Sequence, residues 1–248
     1  MSGAARITSE TNDPQRRLHP RMVDSDWRVM RGMAREIRAL ATRLGKPGAV
    51  VIDFGCGNMP YRPLFEAAGC RYLGADFDGA PDIAIDAAGR IDAADASADI
   101  VVSFQVLEHV RDLETYFAEA RRVLKPGGQL VLSTHGVWLY HPHPEDHRRW
   151  TREGLIGEMS RLGFAVSDCA AVVGPLGWTL ILRLTGYCYV LKRVPLIGGL
   201  LAAAFALVMN ARAFVEERVT PEWIVRDNAC VYVTLSRPTV SRPADRPV

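Results

Sequence analysis

The stretch VIDFGCGNMPY, residues 51–61, decides the fold. Val51 and Ile52 run into an acid, Asp53, and then into Gly55-Cys56-Gly57, the pattern of a buried strand that ends in a glycine turn. Glycine lacks a Cβ and tolerates positive φ, so a turn of this kind lets the backbone approach a ligand closely. Further along, CRYLGADFD at residues 70–78 carries Asp76, twenty-three residues after Asp53. At that spacing a neighbouring strand presents an acid to a pair of ribose hydroxyls. The chain therefore reads as the binder of a nucleoside-containing cofactor, with Asp53, Gly55, Cys56 and Gly57 in the cradle and Asp76 as the ribose carboxylate. Phe77 either covers a face of the base or packs in the core.

The same loop narrows the cofactor. A dinucleotide fingerprint needs a third glycine at position 60, where Pro60 stands, and a phosphate loop needs a Lys-Ser/Thr pair that is absent. With its acid followed by G-x-G, and with GADFD at 74–78, DIVVSFQVLEHV at 99–110 and LKPGGQLVLSTH at 124–135, the sequence resembles the class I S-adenosylmethionine-dependent methyltransferases, of the type 11-like kind. The resemblance spans roughly residues 48–170 and the last strand. It implies a Rossmann-like, doubly wound seven-stranded α/β sheet and S-adenosyl-L-methionine as cofactor. It also implies a contact from Asp86 near the adenine amino group, and a wall for the methionine part of the cofactor at Gln105 and Val106, mostly through backbone. Asp86 matches loosely, because Arg90-Ile91 stands where Leu-Pro is usual.

Periodicity supports the same architecture. Trp27, Met30, Met33, Ile37, Leu40 and Leu44 recur at helical spacing, and Gly45-Lys46-Pro47-Gly48 stops that helix. A strand over 50–54, a helix over 64–69, strands at 71–76, 82–86 and 99–104, a helix over 112–124 closed by Lys125-Pro126-Gly127-Gly128, and a strand in GQLVLSTH follow in turn. Strands alternating with helices at this pitch form a parallel sheet whose ligands lie at the carboxyl ends of the strands. FAVSDCAAVV and ACVYVTLSRP read as the last two strands.

The expected organisation is a flexible tail over 1–20, a cofactor-binding core over 21–174, a hydrophobic helical insertion over 175–222, the last core strand within 223–238 and a flexible tail over 239–248. With 248 residues and 48% hydrophobic composition the chain can bury a sizeable core. Net charge of +2 leaves no electrostatic footprint for nucleic acid. The first twenty residues lack the apolar segment of a secretory signal. Five scattered cysteines without a C-x-x-C pair suggest neither disulfides nor zinc, so the reducing cytoplasm is the expected location. Within the insertion, residues 194–209 are uncharged and rich in leucine and alanine. Three readings stay open there: a lid or homodimer surface, a peripheral membrane contact, and a spanning helix that falls short of the ~20 residues required.

The acceptor is expected over HGVWLYHPHPEDHRRWTREGL, residues 135–155, which leaves the end of the fifth strand with four of the six histidines. A metal site is not expected. One residue too many separates His143 from Asp146 for a His-x-His-x-Asp-His element, and no histidine follows His147. The segment instead resembles an H-x-x-P-x-D-x-x-R-x-T element of some of these methyltransferases. His141, His143 and His109 are the candidate general bases, although Leu-Glu-His at 107–109 is also a common scaffold. Trp138, Tyr140, Asp146 and Arg149 are the candidate substrate contacts, with an Asp146–Arg149 structural pair as the competing reading. The reading reached is a methyltransferase acting on an oxygen of a small molecule or of a glycan or lipid-linked intermediate. A non-catalytic scaffold on the same fold is the alternative, and a nicotinamide oxidoreductase is disfavoured by Pro60.

Overall fold

The computed structural model describes residues 14–142 and 145–239. The expected terminal tails fall outside these at residues 1–13 and 240–248, as does His143. The chain runs α1 (Pro14–Leu18), α2 (Trp27–Leu44), β1 (Val50–Phe54), α3 (Arg62–Glu66), β2 (Arg71–Asp76), β3 (Ile83–Ala84), β4 (Ala98–Phe104), α4 (Leu113–Val123), β5 (Leu124–His135), α5 (Arg152–Arg161), β6 (Phe164–Val172), α6 (Pro175–Leu191), α7 (Gly198–Val219), α8 (Glu222–Asp227) and β7 (Val231–Pro238).

The seven strands form one sheet in the order β3-β2-β1-β4-β5-β7-β6. Strands β1 to β5 pair in parallel, while β7 lies antiparallel between β5 and β6. Both faces are covered, which is why the central strands read as nearly continuous apolar runs. Val51, Ile100, Val102 and Val131 face α2 through Met33 and Ile37. Ile52, Val101, Leu130 and Leu132 face α4 through Phe117 and Ala120. The strand order reverses between β1 and β4, and in open sheets of this kind a crevice opens at such a switch point.

The structure corrects several expectations. Pro14–Leu18 is helical and buries Leu18, with Arg16 paired to Asp26, so the packed domain begins earlier than residue 21. The third strand is two residues long. Lys125-Pro126-Gly127-Gly128 does more than end α4. Ala98 pairs with Leu124 and Ile100 with Gln129, so these four residues form an irregularity at the start of β5. The insertion holds two long helices: α6, apolar at most positions but interrupted by Arg183, with little helical periodicity, and α7, which starts at Gly198 rather than 194 and continues to Val219. Residues 222–227 form α8 ahead of the last strand.

Candidate active site

The cradle is built where β1 ends. Gly55 has φ 81° and Gly57 φ 50°, both in the left-handed region that glycine occupies without strain. A Cβ on Gly55 would lie 2.7 Å from Val106 Cγ2, so the loop after β1 and the loop after β4 meet there and only glycine lets them. A Cβ on Gly57 would meet nothing within 4 Å. Gly57 thus exposes its backbone to open space beside Asp76.

Asp76 ends β2 with its Oδ2 accepting from Gly57 N at 2.7 Å and its Oδ1 from Phe77 N at 2.8 Å. A carboxylate has about four lone-pair positions, so each oxygen keeps capacity for a hydroxyl donor. The Phe77 ring is 59% exposed, so it belongs to the cradle's mouth and not to the core. Asp53 is buried, accepts from the Tyr72 hydroxyl and keeps Oδ1 without a partner. Burial pushes its carboxyl up to about 7. Cys56 is buried against the loop, and its thiol is raised to about 12 by burial and by Asp53 and Asp76, so it serves as filling rather than as a nucleophile. An orphaned buried carboxylate oxygen, open space over a glycine amide and an unpacked aromatic ring are what a bound nucleoside with a charged tail would complete. The residues fit S-adenosylmethionine, with Asp76 on the ribose and Phe77 on the base.

Gln105 has φ 59°, and its backbone N donates to the Ser133 carbonyl at 3.0 Å. Its side-chain Nε2 donates to Ser133 Oγ at 3.1 Å, so it is fastened to β5, as expected of a residue that contributes backbone to the wall. Asp86 spends one oxygen on its own turn, accepting from Ala88 N and Arg90 N, each at 2.9 Å.

Beyond the β4 loop lies a polar cluster that the pattern of residues did not announce. Glu108 is fully buried, accepts from Thr134 Oγ1 at 2.9 Å and has Oε1 at 3.4 Å from His135 Nε2. Burial raises its carboxyl to about 7 and drives His135 well below the usual imidazole range. His135 stacks on Trp138 with ring centroids 5.4 Å apart, which places Trp138 as its cover. Glu108, His135 and His141 offer ligand atoms within 4.8 Å of one another, the group among the described residues close enough to hold an ion. The available signal was the run Ser133-Thr134-His135, three polar residues buried at the end of a strand.

The acceptor loop is clamped from within. Arg149 donates to both oxygens of Asp146, at 2.5 and 2.7 Å, and to the Leu139 carbonyl at 2.8 Å. Asp146 also accepts from His141 N at 3.0 Å, and the guanidinium beside it holds its carboxyl far below the usual range. The two expected substrate contacts therefore engage each other and the loop backbone, which is the competing structural pair. Tyr140 is 73% exposed, open to an acceptor. His141 is lowered to about 4 by burial and by His109, whose ring centroid lies 5.0 Å away, so it is neutral near pH 7 but a weak base. His109 Nδ1 lies 2.6 Å from the Glu145 carbonyl oxygen. A carbonyl only accepts, so the neutral ring keeps its proton on Nδ1 and its lone pair on Nε2.

Comparison with known proteins bears on the family and the fold. A family profile described as a methyltransferase domain matches residues 27–167. A protein of Mycolicibacterium smegmatis described as a probable S-adenosylmethionine-dependent methyltransferase is 32% identical over 142 residues, covering 50% of this chain and 55% of that protein. An uncharacterized methyltransferase of Mycobacterium avium is 34% identical over 131 residues, covering 48% and 47%. The chain spans about half the length of these curated relatives. Among solved structures, the Burkholderia thailandensis 1,6-didemethyltoxoflavin-N1-methyltransferase with bound 1,6-didemethyltoxoflavin and S-adenosylhomocysteine superimposes with a TM-score of 0.54 at 17% identity, covering 85% of this chain and 79% of that one. The Haemonchus contortus phosphoethanolamine N-methyltransferase 2 in complex with S-adenosyl-L-methionine gives 0.52 at 15% identity, covering 96% and 61%. At these identities the likeness is one of fold.

Proposed function

This chain belongs to the methyltransferase-domain family, the S-adenosylmethionine-dependent methyltransferases of Rossmann-like fold, and on that footing we propose that it transfers a methyl group to an oxygen of a small molecule or of a glycan or lipid-linked intermediate. The observation that carries the cofactor half is the Asp76 carboxylate, tied to the Gly57 amide beside open space at the end of β2. The acceptor half rests on the loop after β5, where exposed Tyr140 stands beside the ring pair of His109 and His141.

The cofactor supplies a methyl group already activated on a sulfonium, so the chain's task is alignment more than activation. Asp76, Gly57 and the Gln105–Val106 backbone hold one partner; the Asp146–Arg149 clamp shapes the loop that presents the other. A hydroxyl acceptor must also lose a proton, and in the tautomer set by the Glu145 carbonyl His109 Nε2 is the ring atom of a kind to take it. His141 acts beside it, and His143, in the same loop, stays a candidate on sequence grounds alone.

Calorimetric titration with S-adenosylmethionine and S-adenosylhomocysteine, with nicotinamide dinucleotides as controls, tests the cofactor assignment. Labelled methyl incorporation into hydroxyl-bearing glycan and lipid fractions tests the acceptor. Binding without transfer to any fraction supports the rival reading, a non-catalytic subunit that keeps the cofactor fold. Binding of a nicotinamide dinucleotide instead overturns both.

A further inference from the structure

α7 carries far more apolar surface than its own chain covers. It is the helix among the described residues long and apolar enough to cross a membrane by length and composition, yet only 28% of its most apolar window is buried. Leu201, Val208 and Val215 recur every seven residues, and with Leu200, Leu207 and Val219 they form an exposed stripe along the helix, interrupted at Arg212, which pairs with Glu216. The stripe continues into the preceding turn, where Leu196 is wholly exposed beside Ile197.

The opposite face is committed. Asn210 Nδ2 donates to the Met22 and Asp24 carbonyls, each at 2.8 Å, and Arg28 of α2 pairs with Glu217. Ala202 and Ala206 pack on Leu184 and Cys188 of α6. With one face bonded to the folded domain the helix cannot stand across a bilayer, but it can lie in the plane of one.

Charge selects the occupant. Lys192 and Arg193 precede the apolar turn. Near the other end of α7, a groove of about 410 Å³ is lined by Arg28, Arg31, Arg35 and Arg218, with Phe214 and one carboxylate, Glu217, which Arg28 already occupies. Burial, and after it the neighbouring Arg31, Arg35 and Arg218, lowers the Arg28 guanidinium to about 10. Arginines gathered in this way suit a phosphate, which their planar donors can grip in pairs. Arg218 lines the groove and adjoins Val219 of the stripe, so the two features are continuous. A second copy of the chain fits less well. A two-fold contact through this face would bring two basic rims together, with Glu216 and Glu217 already taken by Arg212 and Arg28.

We propose that α7 and the preceding turn dock in the plane of an anionic phospholipid surface, the apolar stripe entering the headgroup boundary and the arginine groove receiving a lipid phosphate. This does not rest on the methyl-transfer reading and can be tested without cofactor or acceptor. Flotation of the full chain with phosphatidylcholine vesicles, with and without phosphatidylglycerol, should show binding that rises with anionic lipid and falls with salt. Leu201→Asp with Val208→Asp, both exposed positions, should cut the bound fraction by at least about tenfold. Arg31→Ala and Arg218→Ala should each cost about fivefold on anionic vesicles and flatten the salt dependence. Thermal unfolding confirms that each variant is folded. The proposal is overturned if the wild-type chain does not float, if binding ignores both sets of substitutions, or if light scattering shows a dimer that the aspartate pair dissociates.

Discussion

At the scale of single residues, the cradle separates groups that serve the fold from groups reserved for a ligand. Asp76 spends one backbone hydrogen bond per oxygen and keeps the rest of its capacity. Asp76→Ala should weaken S-adenosylmethionine by the ~1.5–3 kcal/mol of charge-assisted hydrogen bonding, while the unfolding temperature moves little; unchanged affinity in the titration would refute the ribose role. Gly57→Ala should cost about 1 kcal/mol of stability through its positive φ. It should cost affinity as well, because the new methyl group would occupy the open space proposed for the cofactor. Asp53 makes a pH prediction. Its folded pKa, near 7, lies above the ~3.9 of an unfolded aspartate, so the folded state holds the proton more tightly. Stability is greatest where both states are protonated and declines as pH rises from about 4 through about 7. Asp53→Asn keeps the Tyr72 hydrogen bond without the buried charge. It should therefore unfold at higher denaturant than wild type around pH 8, with the difference shrinking toward pH 5.

At the scale of elements, the loop after β5 shows how an irregular segment holds its shape without regular hydrogen bonding. Gly136 N and Val137 N both donate to the Cys230 carbonyl, Trp150 N returns to the His135 carbonyl at 3.0 Å, and Arg149 closes the loop onto Asp146. Asp146→Asn removes the charge that fixes Arg149. Methyl transfer should fall while affinity for S-adenosylmethionine, proposed to bind at the ends of β1 and β2, stays near wild type; parallel loss of both would place Asp146 outside a purely loop-shaping role. Thr151 caps α5 by accepting from Gly154 N at 3.1 Å. Thr151→Ala should cost about 1 kcal/mol in chemical denaturation, the usual value of such a cap. The central strands were legible because each carries an apolar run, as in Val50–Ile52 of β1 and Ile100–Val102 of β4, and β1, β2 and the helix α2 fall where the residues place them. The bounds of α6 were not, since Leu180, Ile181, Leu184 and Cys188 are buried in a stretch that also carries exposed Leu176, Tyr187, Tyr189 and Val190.

At the scale of the whole molecule, the amino-acid sequence by itself determined the architecture and singled out the residues of the candidate cofactor cradle. A strand ending in Asp-x-Gly-x-Gly, a second strand ending in Asp and the alternation of apolar runs with helical patterns are local signals, and local signals suffice when the ligand sits where consecutive strands end. Tertiary structure alone decided the rest. Glu108, His135 and His141 come together from three separate segments only because β4 and β5 are neighbours. Arg28, Arg31, Arg35 and Arg218 form one groove only because Asn210 and Glu217 dock α7 against the N-terminal segment and α2. No periodicity encodes such meetings, because the residues that make them lie on elements far apart in the chain. Whether a leucine-rich helix hides its surface or displays it depends on what packs beside it, and for α7 that was settled by one committed face and one left bare.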